Sequence, residues 1–294
     1  MNLAVTAFYK FTPLPEESLE AIRGELSVFG DKHAMGGLTI IGTEGVNGTV
    51  AGSSEVIANW KNLIERIAGE TSFKDSEASE QPFKRWFVKI REEIVSLGNP
   101  AVIPAGKHHH LSPEEWDNIS KQENVVILDA RNTYETDIGM FEGAVDPRLK
   151  NFQDFPAWVK QCAIPKEKKV LLYCTGGIRC EKACLEMERQ GYGNVFQLEG
   201  GILGYLAKKP KGTWRGECFV FDHRVSLDSD LKPSSRYSLC PHCGDPGDRE
   251  IVCKYCKKEG VICARCEKIA DRTSCSKNCS HHLIRAGEKS AVRR

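Results

Sequence analysis

The pattern of apolar and polar positions changes character several times along the chain. Residues 3–9, LAVTAFY, suit a strand, and after the breaker TP the positions Leu19, Ile22, Leu26 and Phe29 fall on one helical face. GLTIIGTEGVNGTVAG reads as two short strands joined by a Gly/Asn turn. Ser53 or Ser54 then caps a helix that turns Val56, Ile57, Trp60, Leu63, Ile64 and Ile67 inward, and FKRWFVKI is a last strand. The order βαββαβ predicts an α+β, ferredoxin-like domain over residues 1–95. Its glycines open no helix, so they read as a hairpin rather than a phosphate loop.

Residues 96–111 carry Pro, Gly and polar positions and read as a linker. Its histidines, 108, 109 and 110, are adjacent in a flexible segment and read as solvated rather than as ligands converging on one ion. From Ser112 the pattern alternates. SPEEWDNIS, NTYETD, FQDFPAWVKQC, RCEKACLEMERQG and GILGYLAK read as helices, and VVILDA, KVLLYC and VFQLEG as strands. VVILD and VLLY are continuous apolar runs, as in parallel strands buried on both faces. Residues 112–210 therefore predict an α/β domain with a parallel sheet, leaving 211–294 as a separate end region.

Composition refines this picture. The chain has 294 residues, 40% of them apolar, enough for more than one core, and no apolar run is long enough to span a bilayer. MNLAVTAFYKF lacks a basic leader and cleavage site, which predicts a soluble, cytoplasmic protein. The net charge of +1 hides an asymmetry. Residues 1–206 hold 22 Lys and Arg against 29 Asp and Glu, a balance of −7, whereas residues 207–294 hold 19 against 11, a balance of +8. A basic end fits a polyanion such as nucleic acid. Lys208, Lys209, Lys211 and Arg215, with Arg285, Lys289, Arg293 and Arg294, are the candidate phosphate contacts. No pattern specifies an oligomeric state.

Chemistry concentrates at KVLLYCTGGIRCEKA. Reacting groups of a parallel sheet gather at the carboxyl ends of its strands, and Cys174 ends one. Thr175, Gly176, Gly177 and Ile178 must turn the chain into the next helix, and the glycines let successive N–H groups point inward. Those donors, the helix N-terminus and Arg179 all favour a thiolate, making Cys174 the candidate nucleophile. Cysteine phosphatases use a related Cys-to-Arg loop one residue longer; CTGGIR matches the shorter rhodanese form. Cys180 could resolve a persulfide or sulfenic acid on Cys174, or simply pack the helix start. Cys162 and Cys184 read as core or surface thiols. Asp129 and Arg131 end a second strand, where rhodanese-like proteins place an acid and an arginine that brace the loop.

Nine of the thirteen cysteines follow residue 217. The pairs Cys240/Cys243, Cys253/Cys256, Cys263/Cys266 and Cys275/Cys279 have chelating spacing, and eight cysteines predict two closed, structural Zn²⁺ sites. Neighbouring, nested and alternating pairings all satisfy this count. His242, His281 and His282 could each replace a cysteine.

GTEGVNGTVAG, DARNTYE, YCTGGIRCEKA, LEGGI and CFVFDHRV together resemble the tRNA uridine 5-hydroxylase family, over nearly the whole chain. The resemblance implies a ferredoxin-like domain, a rhodanese domain and a cysteine-bearing tail. It further implies hydroxylation of carbon 5 of the wobble uridine of tRNA by molecular oxygen, with Cys174 as the catalytic cysteine. No iron triad, flavin motif or haem motif is visible in the sequence. CKYC and CSKNC are additions to the pattern of bacterial relatives, which favours the alternating, cross-braced pairing. Two other readings remain: a persulfide-carrying sulfurtransferase using the same Cys174 and Arg179, and a non-catalytic RNA-binding scaffold using the basic tail.

Overall fold

The computed structural model describes residues 3–105 and 109–291, with the side chains of 286–291 excepted. His108, the side chain of Lys289, and Arg293 and Arg294 therefore lie outside the described residues. The chain divides into two compact units, one of residues 1–222 and 227–232, the other of residues 223–226 and 233–294.

The first unit opens with β1 (Leu3–Phe11), α1 (Leu19–Lys32), β2 (Gly36–Gly42), β3 (Gly45–Gly52), α2 (Ser54–Ala68), β4 (Ser72–Ala78) and β5 (Trp86–Ile90). The sheet order is β4-β1-β3-β2-β5, antiparallel except for the β2–β5 pair. Ser53 caps α2 by accepting the Val56 N–H at 3.3 Å. Phe8, Ile41, Val46 and Val50 on one sheet face pack with Leu26, Trp60 and Ile64 of the helices. Because strand side chains alternate, Ala7, Tyr9, Leu38, Ile40, Asn47, Thr49 and Lys74 fall on the opposite face.

Two details correct the sequence reading. The fourth strand of the βαββαβ unit is β4, SFKDSEA, and not FKRWFVKI, which instead adds β5 to the far edge of the sheet. β4 is an edge strand with mostly polar side chains, so it carries no apolar alternation to detect. The β2–β3 turn falls at Thr43 and Glu44, while Asn47 and Gly48 are paired inside β3.

The segment read as a solvated linker is anchored. Leu97 and Val102 are buried in the core of the α/β domain, and His110–Leu111 forms strand β6 beside the strand Val195–Leu198. His109 Nδ1 lies 3.0 Å from the Val195 carbonyl oxygen, and His110 Nε2 lies 3.0 Å from Glu181. The two rings meet separate partners.

The α/β domain continues with α3 (Pro113–Ile119), β7 (Val125–Asp129), α4 (Thr133–Thr136), β8 (Gly139–Phe141), α5 (Phe155–Gln161), β9 (Lys169–Tyr173), α6 (Ile178–Arg189), β10 (Val195–Leu198), α7 (Gly201–Lys208) and β11 (Trp214–Gly216). Its sheet, β6-β10-β9-β7, is wholly parallel, and Val170 to Tyr173 of β9 are inaccessible to solvent. A ribbon of β8 with β11 buries Trp214 against Phe141. In the second unit a hairpin pairs Arg249–Val252 with Glu259–Ile262, and a helix spans Lys277–Ala291. No helix among the described residues is long and apolar enough to cross a membrane.

Candidate active site

Cys174 follows the last residue of β9, and three residues carry the chain to Ile178, the first of α6. Gly177, at φ +100°, turns its N–H to the Cys174 sulfur at 3.1 Å. Its orientation is held from behind. The Cys174 carbonyl accepts the Ile202 N–H at 2.9 Å and the Thr175 carbonyl accepts the Leu203 N–H at 3.1 Å, both from the start of α7. A Cβ on Gly201 would stand 2.5 Å from the Cys174 carbonyl oxygen, so only glycine admits this contact. With its carbonyls drawn toward α7, the loop leaves its N–H groups for the sulfur.

Burial alone would raise the Cys174 thiol, but the Cys180 side chain, the Arg179 charge and the backbone N–H groups of Cys180 and Arg179 outweigh it and bring it down to about 6. Burial and the neighbouring Cys174 charge push Cys180 well up. Cys180 therefore keeps its proton and hydrogen-bonds through it to the Cys174 thiolate. Cys184 is buried and likewise raised, and Cys162 contacts the Tyr192 hydroxyl at 3.1 Å.

Arg179 reaches the loop as one half of a buried pair. Its guanidinium spans both Glu135 oxygens at 2.6 and 2.8 Å, and Thr175 Oγ1 donates to the same carboxylate at 3.1 Å. Burial would raise the Glu135 carboxyl, but Arg179 and then Arg131 hold it below the usual carboxylate range. Asp129 and Arg131 form a second buried pair, with contacts of 2.9 and 2.7 Å. Arg131 also donates to the Glu135 carbonyl at 3.3 Å and the Gly139 carbonyl at 2.6 Å. This pair thus meets the loop through Glu135. The sequence reading passed over Glu135, although Asn132 followed three residues later by a glutamate is a capping-box signature, and the Glu135 carboxylate does accept the Asn132 N–H at 3.1 Å.

Above the loop lies a cleft of about 370 Å³ whose roof is the helix-free face of the N-terminal sheet. Tyr9, Asn47, Thr49 and Lys74 supply polar groups of the roof, Leu38, Ile40 and Phe221 much of the apolar wall, and Asn132, Cys174, Thr175 and Arg179 line the same cleft. Tyr9 donates its hydroxyl hydrogen to Glu181 at 2.9 Å, and Lys74 Nζ lies 4.4 Å from the Tyr9 ring centroid. Burial lowers the Lys74 ammonium to about 8, opposed by the charges of Cys174, Glu181 and Glu199. Phe221 stands over Arg179 at 5.8 Å and is 56% exposed. Asn47 and Phe221 fall within GTEGVNGTVAG and CFVFDHRV, but nothing local marks Tyr9 or Lys74, and the relation of all four to Cys174 exists only in the folded chain. Below the roof, Lys182 of α6 is fully buried between Glu44 at 2.9 Å and Glu93 at 2.7 Å.

In the second unit the eight tail cysteines gather as Cys240, Cys243, Cys263 and Cys266, and as Cys253, Cys256, Cys275 and Cys279, with the ligand sulfurs of each set within 4.8 Å of one another. This is the alternating arrangement. His242 bonds the Ser274 carbonyl at 2.8 Å and His282 stacks on Tyr255 at 4.6 Å, so neither joins a sulfur set. Of the basic residues near the end of the first unit, Lys209 is paired with Asp117 at 2.7 Å and Arg215 with Glu142 at 3.0 Å, while Lys208 and Lys211 are exposed.

Comparison with known proteins matches residues 3–94 to the UPF0176 acylphosphatase-like domain, 112–208 to the rhodanese-like domain and 215–280 to the rhodanese C-terminal family. The tRNA uridine(34) hydroxylase of Bdellovibrio bacteriovorus is 46% identical over 302 residues, covering 99% of this chain and 86% of that protein. Its namesake in Deinococcus radiodurans is 40% identical, covering 89% and 88% respectively. The one in Brucella anthropi is also 40% identical, covering 90% and 88%. Among solved structures, the rhodanese-like domain of an Anabaena protein is 18% identical with a TM-score of 0.30, covering 37% of this chain and 80% of that one.

Proposed function

Since the chain belongs to the family of the tRNA uridine(34) hydroxylases, we propose that it converts the wobble uridine of tRNA to 5-hydroxyuridine, with Cys174 as the nucleophile. The observation that carries this reading is a thiol lowered to about 6 at the floor of a base-sized cleft. The uridine leaves its stack and enters the cleft, where Phe221 offers an aromatic face. The Cys174 thiolate adds to C6 of the ring, forming a C–S bond and moving the C5=C6 pair to C5 and O4. Molecular oxygen then forms the C5–O bond. Its second atom leaves as water, taking two protons and two electrons from a dithiol or equivalent reductant. Loss of the C5 proton with departure of Cys174 restores the double bond.

Arg179 and the loop N–H groups stabilise the thiolate both as attacking and as leaving group. A cleft roofed by a second domain favours a nucleobase over the small thiol acceptor of a sulfurtransferase.

The two cysteine sets fit Zn²⁺. Four sulfurs about 2.3 Å from one ion stand about 3.8 Å apart in a tetrahedron; the short contacts within the sets include 3.4 Å for Cys256–Cys275 and 3.7 Å for Cys275–Cys279, and all sulfurs of a set lie within 4.8 Å of one another. These ions would hold the basic tail folded, and the tail together with Lys208 and Lys211 would contact tRNA phosphates. A reducing cytoplasm suits its thirteen cysteines.

Nucleoside mass spectrometry of tRNA tests the assignment. Cells carrying the wild-type chain should contain 5-hydroxyuridine, and cells lacking it or carrying Cys174→Ser should lose at least nine-tenths of the nucleoside supplied by this chain. Undiminished 5-hydroxyuridine with Cys174→Ser overturns the role of Cys174; none with the wild type overturns the activity.

A further inference from the structure

The roof of the cleft carries a side chain whose hydrogen-bonding direction is already decided. Asn47 lies in β3 directly between Tyr9 of β1 and Ile40 of β2, on the face that looks toward Cys174. Its Nδ2 donates to the Ile94 carbonyl at 2.8 Å, and a carbonyl accepts only from the NH₂ end of an amide, so the side chain cannot be flipped. Oδ1 accepts no hydrogen bond among the described residues. Of the neighbouring polar groups, the Tyr9 hydroxyl has given its hydrogen to Glu181, whereas Lys74 Nζ can only donate. The Thr49 hydroxyl on the same face rotates and can take either part, so the groups of fixed direction on the roof are one acceptor on Asn47 and one donor on Lys74.

We propose that Asn47 selects uridine over cytidine at the reacting position, its Oδ1 accepting the N3–H of uracil while Lys74 donates to O4. This rests on the functional reading above. Uracil presents an N3–H donor flanked by two carbonyl acceptors. In cytosine N3 is an acceptor and the 4-position carries an amino donor, so both roof contacts reverse: lone pair would face lone pair at Asn47, and amino group would face ammonium at Lys74. A buried polar group left facing its own kind loses more than the hydrogen bond it fails to make. Asn47 is a specificity-determining residue, separate from the nucleophile.

The test uses full-length protein and an anticodon stem-loop carrying uridine, cytidine or 3-methyluridine at the wobble position. Methylation removes the N3–H on the RNA side without touching the protein, so the measurement does not depend on how a variant folds. Wild type should bind the uridine RNA about fivefold to tenfold tighter than either of the others. Asn47→Ala should bind all three within about twofold. Wild type that fails to distinguish the RNAs, or Asn47→Ala that keeps the full difference, overturns the proposal. Tandem measurement of 5-hydroxyuridine formation by wild type separates the two claims. Product made without any Asn47-dependent selectivity removes the role of Asn47 alone; no product removes the functional reading itself.

Discussion

Cys174, lowered from 9.0 to about 6, is a thiolate near neutral pH, and the cost of burying that charge is met by fixed donors. Its alkylation rate should rise with pH to a plateau with a midpoint near 6, and hydroxylation should fall on the acid side of the same midpoint. A thiol lowered by folding contributes stability that is present above its unfolded value, near 9, and is lost as pH falls through about 6. Cys174→Ser should remove that part of the pH dependence. Arg179 is harder to test, because Arg179→Ala would also strand Glu135, which is buried without solvent contact. The informative variant is Arg179→Ala combined with Glu135→Gln. Its alkylation midpoint should move up by about one unit or more, and an unmoved midpoint would assign the stabilisation to backbone donors and the Cys180 proton.

At the scale of elements, α6 serves two partners at once. Its first turn closes the Cys174 loop, and two residues further Glu181 and Lys182 reach the N-terminal domain, Glu181 through Tyr9 and Lys182 through Glu44 and Glu93. The β2–β3 turn, GTEG, exists in this geometry to deliver Glu44. Lys182→Met would leave two carboxylates buried against each other. It should cost about 3–5 kcal/mol of stability and loosen the roof of the cleft, raising hydrogen exchange in β1 and β3. Adding Glu44→Gln and Glu93→Gln should recover most of the melting temperature. A single variant as stable as wild type would show that the triad contributes nothing to docking. The edge strand β4 follows the same logic: its polar side chains guard a sheet edge, and one of them, Lys74, enters the cleft.

Across the whole molecule, the first unit holds the cleft on large apolar cores, one under the N-terminal sheet and one on each face of the parallel sheet, while among the described residues the second unit has a small core of cysteines with Ile262 and Ile251. Such a core cannot hold a domain of this size by burial alone. Elemental analysis should find two Zn²⁺ per chain. Chelation should unfold the second unit, seen as lost exchange protection over residues 249–291, while the Cys174 loop keeps its alkylation midpoint. One ion or none would refute the pairing of eight cysteines into two closed sites.

What the linear order determined is whatever depends on near neighbours. CTGGIR places sulfur, glycines and guanidinium within one turn; the apolar runs VVILD and KVLLY make adjacent parallel strands, although VVILD, at the end of the sheet order, is half-buried over its first three residues; the spacing of the tail cysteines makes chelating pairs. Periodicity likewise revealed the amphipathic helices, since one face of α1 and of α2 is apolar at regular spacing. Tertiary structure decided what depends on surfaces meeting. β4 is invisible to periodicity because an edge strand needs backbone pairing but little apolar burial. Glu135 acquires its role only when Arg179 arrives from 44 residues away. Tyr9, Asn47 and Lys74 look toward Cys174 because the N-terminal sheet buries one face under its helices and turns the other onto the loop. Which face a strand residue occupies follows from its parity, but what stands opposite that face is settled only by the docking of the two domains.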